Sequence, residues 1–521
     1  MLGVLVRARI IRVFGLTMSR KTAGALVLIA ALLAFAMAFQ GSRGIWEPDE
    51  GRYTNIALRM LRTGDFLVPE FNEDVPHFAK PPLTYWAIAG GVTLLGRNEW
   101  GARLPSGLAF AGTALLVFAI ARKIMPDRRW LPPLIYATSL FPFAAANLVT
   151  TDTLLTLWET LAALGFVCWW QGKEKRPGTG FLIVMWAGFG LAFLTKGPPG
   201  LLPLSAILVF VLLAGGWRSA FRMFSVTGLM TFAAIGFSWY LVVVATHPGL
   251  ATYFLRDEVA RRIASGSYGR NPEWYKGFVI YVPVLLLGTL PWNIFLVRAA
   301  RSIPGTLFSR TWWRKQLEGD SWVVFPTLWL FLSLAVFFVS KSRLPLYVLP
   351  LFVPIALIIG RWIVLPSKRQ ARVSLLAAWI VILLALKFAG SLFPYSRDSR
   401  AMAQVIASTI QPVPSNIIFV GIDPFWGLNL YLNCEVERVM PPSPAGTPAK
   451  KTLAHELEKK EKRTLFVVDK SEEARVIDTS RSLGYPLLKL GQSGSRVFLA
   501  RPGELSSARD LSMGVSGRSH Q

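Results

Sequence analysis

Residues 321–360 read SWVVFPTLWLFLSLAVFFVS then KSRLPLYVLPLFVPIALIIG, and the only charges in that stretch are Lys341 and Arg343. Each half is an apolar run close to the ~20 residues a helix needs to cross the hydrocarbon core of a bilayer. The stretch therefore predicts two membrane spans, 321–340 and 344–360, joined by a short basic link. Working outward, comparable runs recur at 22–42, 104–121, 130–151, 153–172, 177–195, 197–217, 223–246, 277–297 and 373–386. The last is long enough only if Lys387 snorkels to the interface. The sequence thus predicts about eleven spans by this rule. Composition agrees: 53% of residues are hydrophobic, 17% are charged, and the mean hydropathy is +0.44.

The formal net charge is +26. Nucleic-acid binding would gather that charge on one soluble face, whereas here it lies in short loops between spans. No nucleic-acid partner is expected; the charge sets topology and attracts anionic lipid. Basic residues before the first span (Arg7, Arg9, Arg12, Arg20, Lys21) read as the flank of an uncleaved signal anchor. Alternate loops are basic too: Arg122, Lys123, Arg128 and Arg129; Lys173, Lys175 and Arg176; Arg218 and Arg222; Arg298 to Lys315; Lys368, Arg369 and Arg372. By the positive-inside rule these are cytoplasmic and the segment after the last span lies outside. The opposite loops (43–103, 147–152, 195–197, 247–276 and 340–345) carry Asp49, Glu50, Asp152, Asp257 and Glu258. Lys341 and Arg343 fall on that outer face, against the topological trend, which calls for a reason beyond insertion. The two cysteines, Cys168 in a span and Cys434 in the tail, imply no disulfide framework.

The first outer loop begins Trp46-Glu47-Pro48-Asp49-Glu50-Gly51-Arg52-Tyr53. Arg52, Asn55, Arg59 and Arg62 then form one stripe, and Tyr53, Ile56, Ala57, Met60 and Leu61 another. That spacing predicts an amphipathic helix lying in the membrane interface, holding Asp49 and Glu50 at headgroup depth. Further on is His77-Phe78-Ala79-Lys80-Pro81-Pro82-Leu83-Thr84-Tyr85-Trp86. Lys80 precedes proline and is pushed toward extended geometry, while Pro81 suits a first helical turn. Lys80 then marks a helix start, where a cation near exposed N–H groups suits a phosphate. Tyr85 and Trp86 suit the aromatic belt.

Asp49-Glu50-x-Arg52-Tyr53 after the first span, followed by Lys80-Pro81-Pro82-x-x-Tyr85-Trp86, resembles the lipid A 4-amino-4-deoxy-L-arabinose transferase family. That family is a branch of the protein O-mannosyltransferase superfamily with the glycosyltransferase C fold. Further matches follow in order: Thr150-Thr151-Asp152, Leu194-Thr195-Lys196-Gly197-Pro198, and Lys341-Ser342-Arg343-Leu344-Pro345-Leu346-Tyr347. They cover most of residues 20–365, all on the face expected to be outside.

The resemblance implies a polytopic helical fold and transfer of a sugar from a polyprenyl (undecaprenyl) phosphate to a lipid acceptor such as lipid A, at the periplasmic face of a bacterial inner membrane. It makes Asp49 the base, with Glu50 grouped beside it as catalytic. It gives Arg52, Lys80, Arg343 and Tyr347 to the carrier phosphate, and Asp152 and Lys196 to the same cavity, with Tyr85 and Glu258 among the substrate-binding residues. The chemistry fits these residue types. Phosphate is already a good leaving group, so the need is for a carboxylate to take the acceptor's proton and fixed cations for the departing phosphate. Two departures stand out. Ala79 replaces an acid that normally precedes the lysine, which leaves the sugar open. Glu258 occupies a position where relatives carry histidine, and the four histidines show no ligand spacing. No structural or catalytic zinc is expected, and no cofactor.

After the last span, 416–421, 464–469 and 496–500 read as buried strands, and 453–462 and 472–483 as helices. They predict a small periplasmic α/β domain over 396–503, following a membrane domain over 1–395, with a disordered tail over 504–521. No glycine-rich phosphate loop appears there, so the donor is read as a lipid rather than a nucleotide. Two alternatives stand: a transferase of the same superfamily acting on protein or glycan, and a lipid or glycan transporter. A transporter would show inverted repeats and midplane polar residues; here no repeat is visible and the polar motifs cluster at one edge.

Overall fold

The computed structural model describes residues 10–13, 16–72, 75–172, 178–254, 269–295, 321–363, 369–439, 452–459 and 461–508. Glu258, the basic loops at 173–176 and 298–315, Lys368 and the tail beyond 508 lie outside the described residues. A short antiparallel hairpin, β1 (Ile10–Val13) with β2 (Leu16–Ser19), precedes α1 (Arg20–Met37).

The helices then run α2 (Asp49–Thr63), α3 (Leu83–Leu95), α4 (Glu99–Ile124), α5 (Leu131–Thr138), α6 (Leu140–Ala145), α7 (Asp152–Gly172), α8 (Thr179–Lys196), α9 (Leu202–Met223), α10 (Val226–Gly236) and α11 (Ser238–Thr246). Beyond them come Lys276–Gly288, Val324–Val339, Phe352–Trp362 and Arg369–Ala389. Among the described residues, six helices are long and apolar enough to cross a membrane, or seven if α10 and α11, bent by 49°, form one span. That is fewer than the eleven expected. Four apolar helices fall short of the length (Thr22–Met37, Leu83–Leu95, Lys276–Gly288 and Val373–Ala389). The run at 130–151 breaks at Ser139, whose extended backbone (φ −72°, ψ 134°) ends α5 and opens α6. Helix α3 is itself an apolar element inside what read as one long loop.

The close approach of α7 and α8 is set by glycine. A Cβ on Gly165 would lie 2.5 Å from the Met185 backbone N, and one on Gly188 2.6 Å from the Ala162 N. Small residues let membrane helices pack backbone to backbone. Because the two helices run antiparallel, this contact puts the start of α7, Asp152, beside the end of α8, Lys196. Aromatic side chains fill the core around them, among them Phe166, Phe189, Phe210, Phe325 and Trp329.

In the C-terminal region the short strand β3 (Ile410–Gln411) pairs with Ser506–Ser507. The region holds a five-stranded sheet in the order β5-β4-β6-β8-β7: β5 (Glu435–Val439), β4 (Asn416–Val420), β6 (Thr464–Asp469), β8 (Arg496–Ala500) and β7 (Leu488–Ser493). Strand β4 is parallel to both β5 and β6, while β8 is antiparallel to β6. Alternate residues enter two cores, Ile417, Phe419, Leu465 and Val467 on one face and Ile418, Val420, Phe466 and Val468 on the other. That is the two-residue period of a strand covered on both sides.

The long helix α4 fixes which end of the bundle is which. Near its start, Glu99 pairs with Arg400 and accepts from the Tyr431 hydroxyl at 2.6 Å, both in the C-terminal region. Past its far end, Arg128 donates to the carbonyl of Arg361 at 2.7 Å, and Gln171 at the end of α7 reaches the carbonyl of Lys123. At 1.5 Å per residue, a helix of 26 residues separates these groups by roughly 39 Å. The C-terminal region and the basic end lie on opposite sides of the bundle.

Candidate active site

Helix α2 carries its acids, Asp49 and Glu50, in the first turn, where the helix dipole favours negative charge. It ends at Gly64, whose left-handed backbone (φ 74°) closes the last turn. Its apolar stripe, Tyr53, Ile56, Ala57 and Met60, packs with Tyr85, Ile88 and Val92 of α3. Its polar stripe does not face lipid headgroups as the sequence suggested. Arg59 and Arg62 pair with Glu435 at 2.7 and 2.5 Å, and Asn55 accepts from Asn429 at 2.7 Å. The C-terminal region covers that face, so α2 is clamped between two layers.

The two adjacent acids have different surroundings. The Asp49 side chain is 38% exposed and pairs with Arg52 at 2.5 Å. Glu50 is buried and accepts from Arg43 at 2.5 and 3.1 Å, from Arg103 at 3.1 Å, and from the Trp46 and Val149 backbone N–H groups. Burial alone would raise its carboxyl, but Arg103 and Arg43 overcome that and hold it down at about 2. A carboxylate saturated by two arginines has no free site for a proton. Glu50, grouped with Asp49 in the sequence, has the geometry of a structural clamp.

A second ion pair joins Asp152 to Lys196, both side chains largely buried. The Lys196 ammonium lies 4.5 Å from the centre of the Tyr347 ring, an attraction of cation to π-face. Tyr53 ties the two pairs together. Burial pushes its phenol up, and the charges of Arg52, Asp49, Asp152 and Lys196 all act on it. Its ring lies 5.8 Å from that of Tyr85. The Tyr85 hydroxyl and the Arg52 Nε are buried without a hydrogen-bond partner. Unpaired buried donors are costly, and oxygen acceptors are the chemistry that would satisfy these two.

Other expected residues sit differently. Tyr85 is buried in the α2–α3 core rather than in an interface belt. Arg343 donates to the carbonyls of Asn271, Glu273 and Phe338 at 3.0, 3.0 and 2.8 Å. Its guanidinium therefore fastens neighbouring chain segments. Tyr347 stands in the helical turn Pro345–Leu351, with its hydroxyl 3.5 Å from that of Ser342. Lys80 is half-buried in the turn before α3, which starts at Leu83 rather than at Pro81. Arg43 and Arg103 were not singled out in the sequence, and Tyr53 entered only through the α2 stripe and the Asp49-Glu50-x-Arg52-Tyr53 motif, with no role at the site. Arg103 directly precedes the apolar run 104–121, which gives it no signal of its own.

Fold and site together define a multi-pass helical membrane protein with a polar, charge-paired site at the end of the bundle capped by an α/β region. The family model of dolichyl-phosphate-mannose-protein mannosyltransferase matches residues 79–242. An undecaprenyl phosphate-alpha-4-amino-4-deoxy-L-arabinose arabinosyl transferase of Pectobacterium carotovorum is 30% identical over 413 residues, covering 78% of this chain and 70% of that one. The corresponding protein of Edwardsiella ictaluri is 31% identical over 354 residues, 66% of this chain and 60% of its own length. The chain thus spans less than two thirds of several relatives it matches. Among solved structures, ArnT from Cupriavidus metallidurans bound to undecaprenyl phosphate superposes with a TM-score of 0.72 at 19% identity, over 92% of this chain and 98% of that one. The apo oligosaccharyltransferase of Archaeoglobus fulgidus gives 0.51 at 12% identity, over 87% and 70%. The chain belongs to the lipid A 4-amino-4-deoxy-L-arabinose transferase-like family and has the glycosyltransferase C fold. It is a multi-pass inner-membrane protein whose C-terminal region faces the periplasm.

Proposed function

We propose that the protein transfers a sugar from a polyprenyl phosphate carrier to a lipid acceptor at the periplasmic membrane face. The names of its relatives suggest undecaprenyl phosphate as carrier, 4-amino-4-deoxy-L-arabinose as sugar and, through the family resemblance, lipid A as acceptor. The observation that carries the reading is the pairing of Asp49 with Arg52 and of Asp152 with Lys196 around Tyr53, beside the unpartnered Arg52 Nε and Tyr85 hydroxyl.

Asp49 takes the proton of the acceptor hydroxyl as its oxygen attacks the anomeric carbon. The bond from that carbon to the carrier phosphate breaks, and its electron pair leaves with the phosphate. Arg52, Lys196 and Lys80 stabilise the charge that grows there, in a site where burial makes each cation count for more than in water. Asp152 keeps Lys196 aimed. The test is donor binding in detergent. Lys196→Ala and Lys80→Ala should each weaken binding of the polyprenyl phosphate about ten-fold or more, equivalent to ~1.4 kcal/mol. Unchanged affinity in both would remove the phosphate site.

A further inference from the structure

We infer that Glu47 is a positioning residue through which the C-terminal region sets the orientation of Asp49. The inference rests on Asp49 being the base. Glu47 stands two residues before it, 5% exposed. Its Oε1 accepts from the Ser399 hydroxyl at 2.7 Å and from the Gly427 backbone N–H at 2.6 Å. The Glu47 N–H donates to the carbonyl of Arg397 at 3.0 Å, and the Ser399 N–H to that of Ile45 at 2.9 Å. The Trp46 indole donates to Asp398 at 3.2 Å. One side chain therefore stitches the entrance of α2 to two separate places in the C-terminal region: the start of the helix Ser399–Thr409 and the residue before the helix Leu428–Leu432.

The fit is close around Oε1, while Oε2 is buried without a hydrogen-bond partner. A Cβ on Gly51 would lie 2.0 Å from Glu47 Oε1, so the carboxyl rests against the first turn of α2. A Cβ on Gly427 would meet the Ser399 hydroxyl at 2.7 Å and Ile45 at 2.9 Å. The other anchors of α2, Asn55 to Asn429 and Arg59 and Arg62 to Glu435, lie further along the helix. Arg59 is roughly 15 Å from Asp49 by helical rise. Loss of the Glu47 link would leave the C-terminal region docked and take one hold from the first turn, where the base sits, beside those that Glu50 and Trp46 supply. A displacement of about 1 Å at a reacting group is enough to cost on the order of 100-fold in rate. Burial also raises the Glu47 carboxyl to about 8, with Glu50 adding to the effect against the hydrogen bonds it accepts. The neutral acid is then the form that fits, and a glutamine amide presents the same acceptor oxygen.

The experiment compares Glu47→Ala, Glu47→Gln, Ser399→Ala and Asp49→Asn in the full-length protein, reading kcat, donor KM and thermal midpoint. Glu47→Ala should lower kcat at least ten-fold with donor KM unchanged, while Glu47→Gln stays within about two-fold of the parent. Ser399→Ala, which removes one donor and little volume, should lower kcat in the same direction even if Glu47→Ala proves too unstable to assay. Full kcat in Ser399→Ala and in any folded Glu47→Ala, beside a dead Asp49→Asn, overturns the positioning role alone. Full kcat in Asp49→Asn overturns the base assignment on which it rests.

Discussion

At the scale of single residues, two acids of the first outer loop, Glu47 and Glu50, end in opposite electrostatic states. Glu50 titrates low, at about 2, because Arg103 and Arg43 overcome the effect of burial. A depressed carboxyl contributes stability that is present above its ordinary value of 4.5 and is lost as pH falls through about 2. Glu47 is raised by burial to about 8, so its contribution has the opposite sign. It is full below 4.5 and lost as pH rises toward 8, at up to ~1.4 kcal/mol per pH unit. Glu47→Gln should therefore flatten the fall in thermal midpoint between pH 5 and 8, and an unchanged slope would contradict the burial of that acid. Glu50→Gln leaves Arg103 buried without its counter-charge and should cost roughly 3–5 kcal/mol, seen as a large drop in thermal midpoint; a variant of parental stability that lacked only activity would restore Glu50 to catalysis. None of this division was legible in the sequence. Asp49 and Glu50 look alike until Arg103, 53 residues away, is brought to one of them.

At the scale of elements, what could be read was what has a period. The strands at 416–420, 464–469 and 496–500 are continuous apolar runs, and the structure has strands there. Strand β5 was missed because Glu435, Glu437 and Arg438 interrupt its pattern, two of them serving contacts with α2 and Asn416. Strand β7 was missed because it is an exposed edge with little apolar signal. The amphipathic pattern of α2 was read correctly, but its polar face has a protein partner rather than headgroups, which no local pattern can tell. The α7–α8 contact offers a test at this scale. Gly188→Val places its Cβ against the Ala162 backbone, which cannot give way. It should force the helices apart, separate Asp152 from Lys196 and lower the yield of monodisperse protein. Normal yield with normal donor binding would show that the spacing is not what holds the pair.

At the scale of the whole molecule, the account is one of sidedness. Basic residues at the far end of α4 and the C-terminal region at its near end face opposite solutions, with the paired charges gathered under the C-terminal cap. A cysteine placed at Arg128 should react only with reagent on the cytoplasmic side; labelling from the periplasm would invert the molecule and dismantle a single-face site. The spans themselves were legible as apolar runs, while their breaks at Ser139 and between α10 and α11 depend on packing that composition does not encode. The most direct test of the central claim is sugar transfer from a polyprenyl phosphate donor by Asp49→Asn in vesicles, with donor binding measured in parallel. Asparagine keeps the size of the side chain and removes its basicity, so transfer should fall at least 100-fold while donor affinity stays within about two-fold of the parent. Transfer at the parental rate would contradict the account.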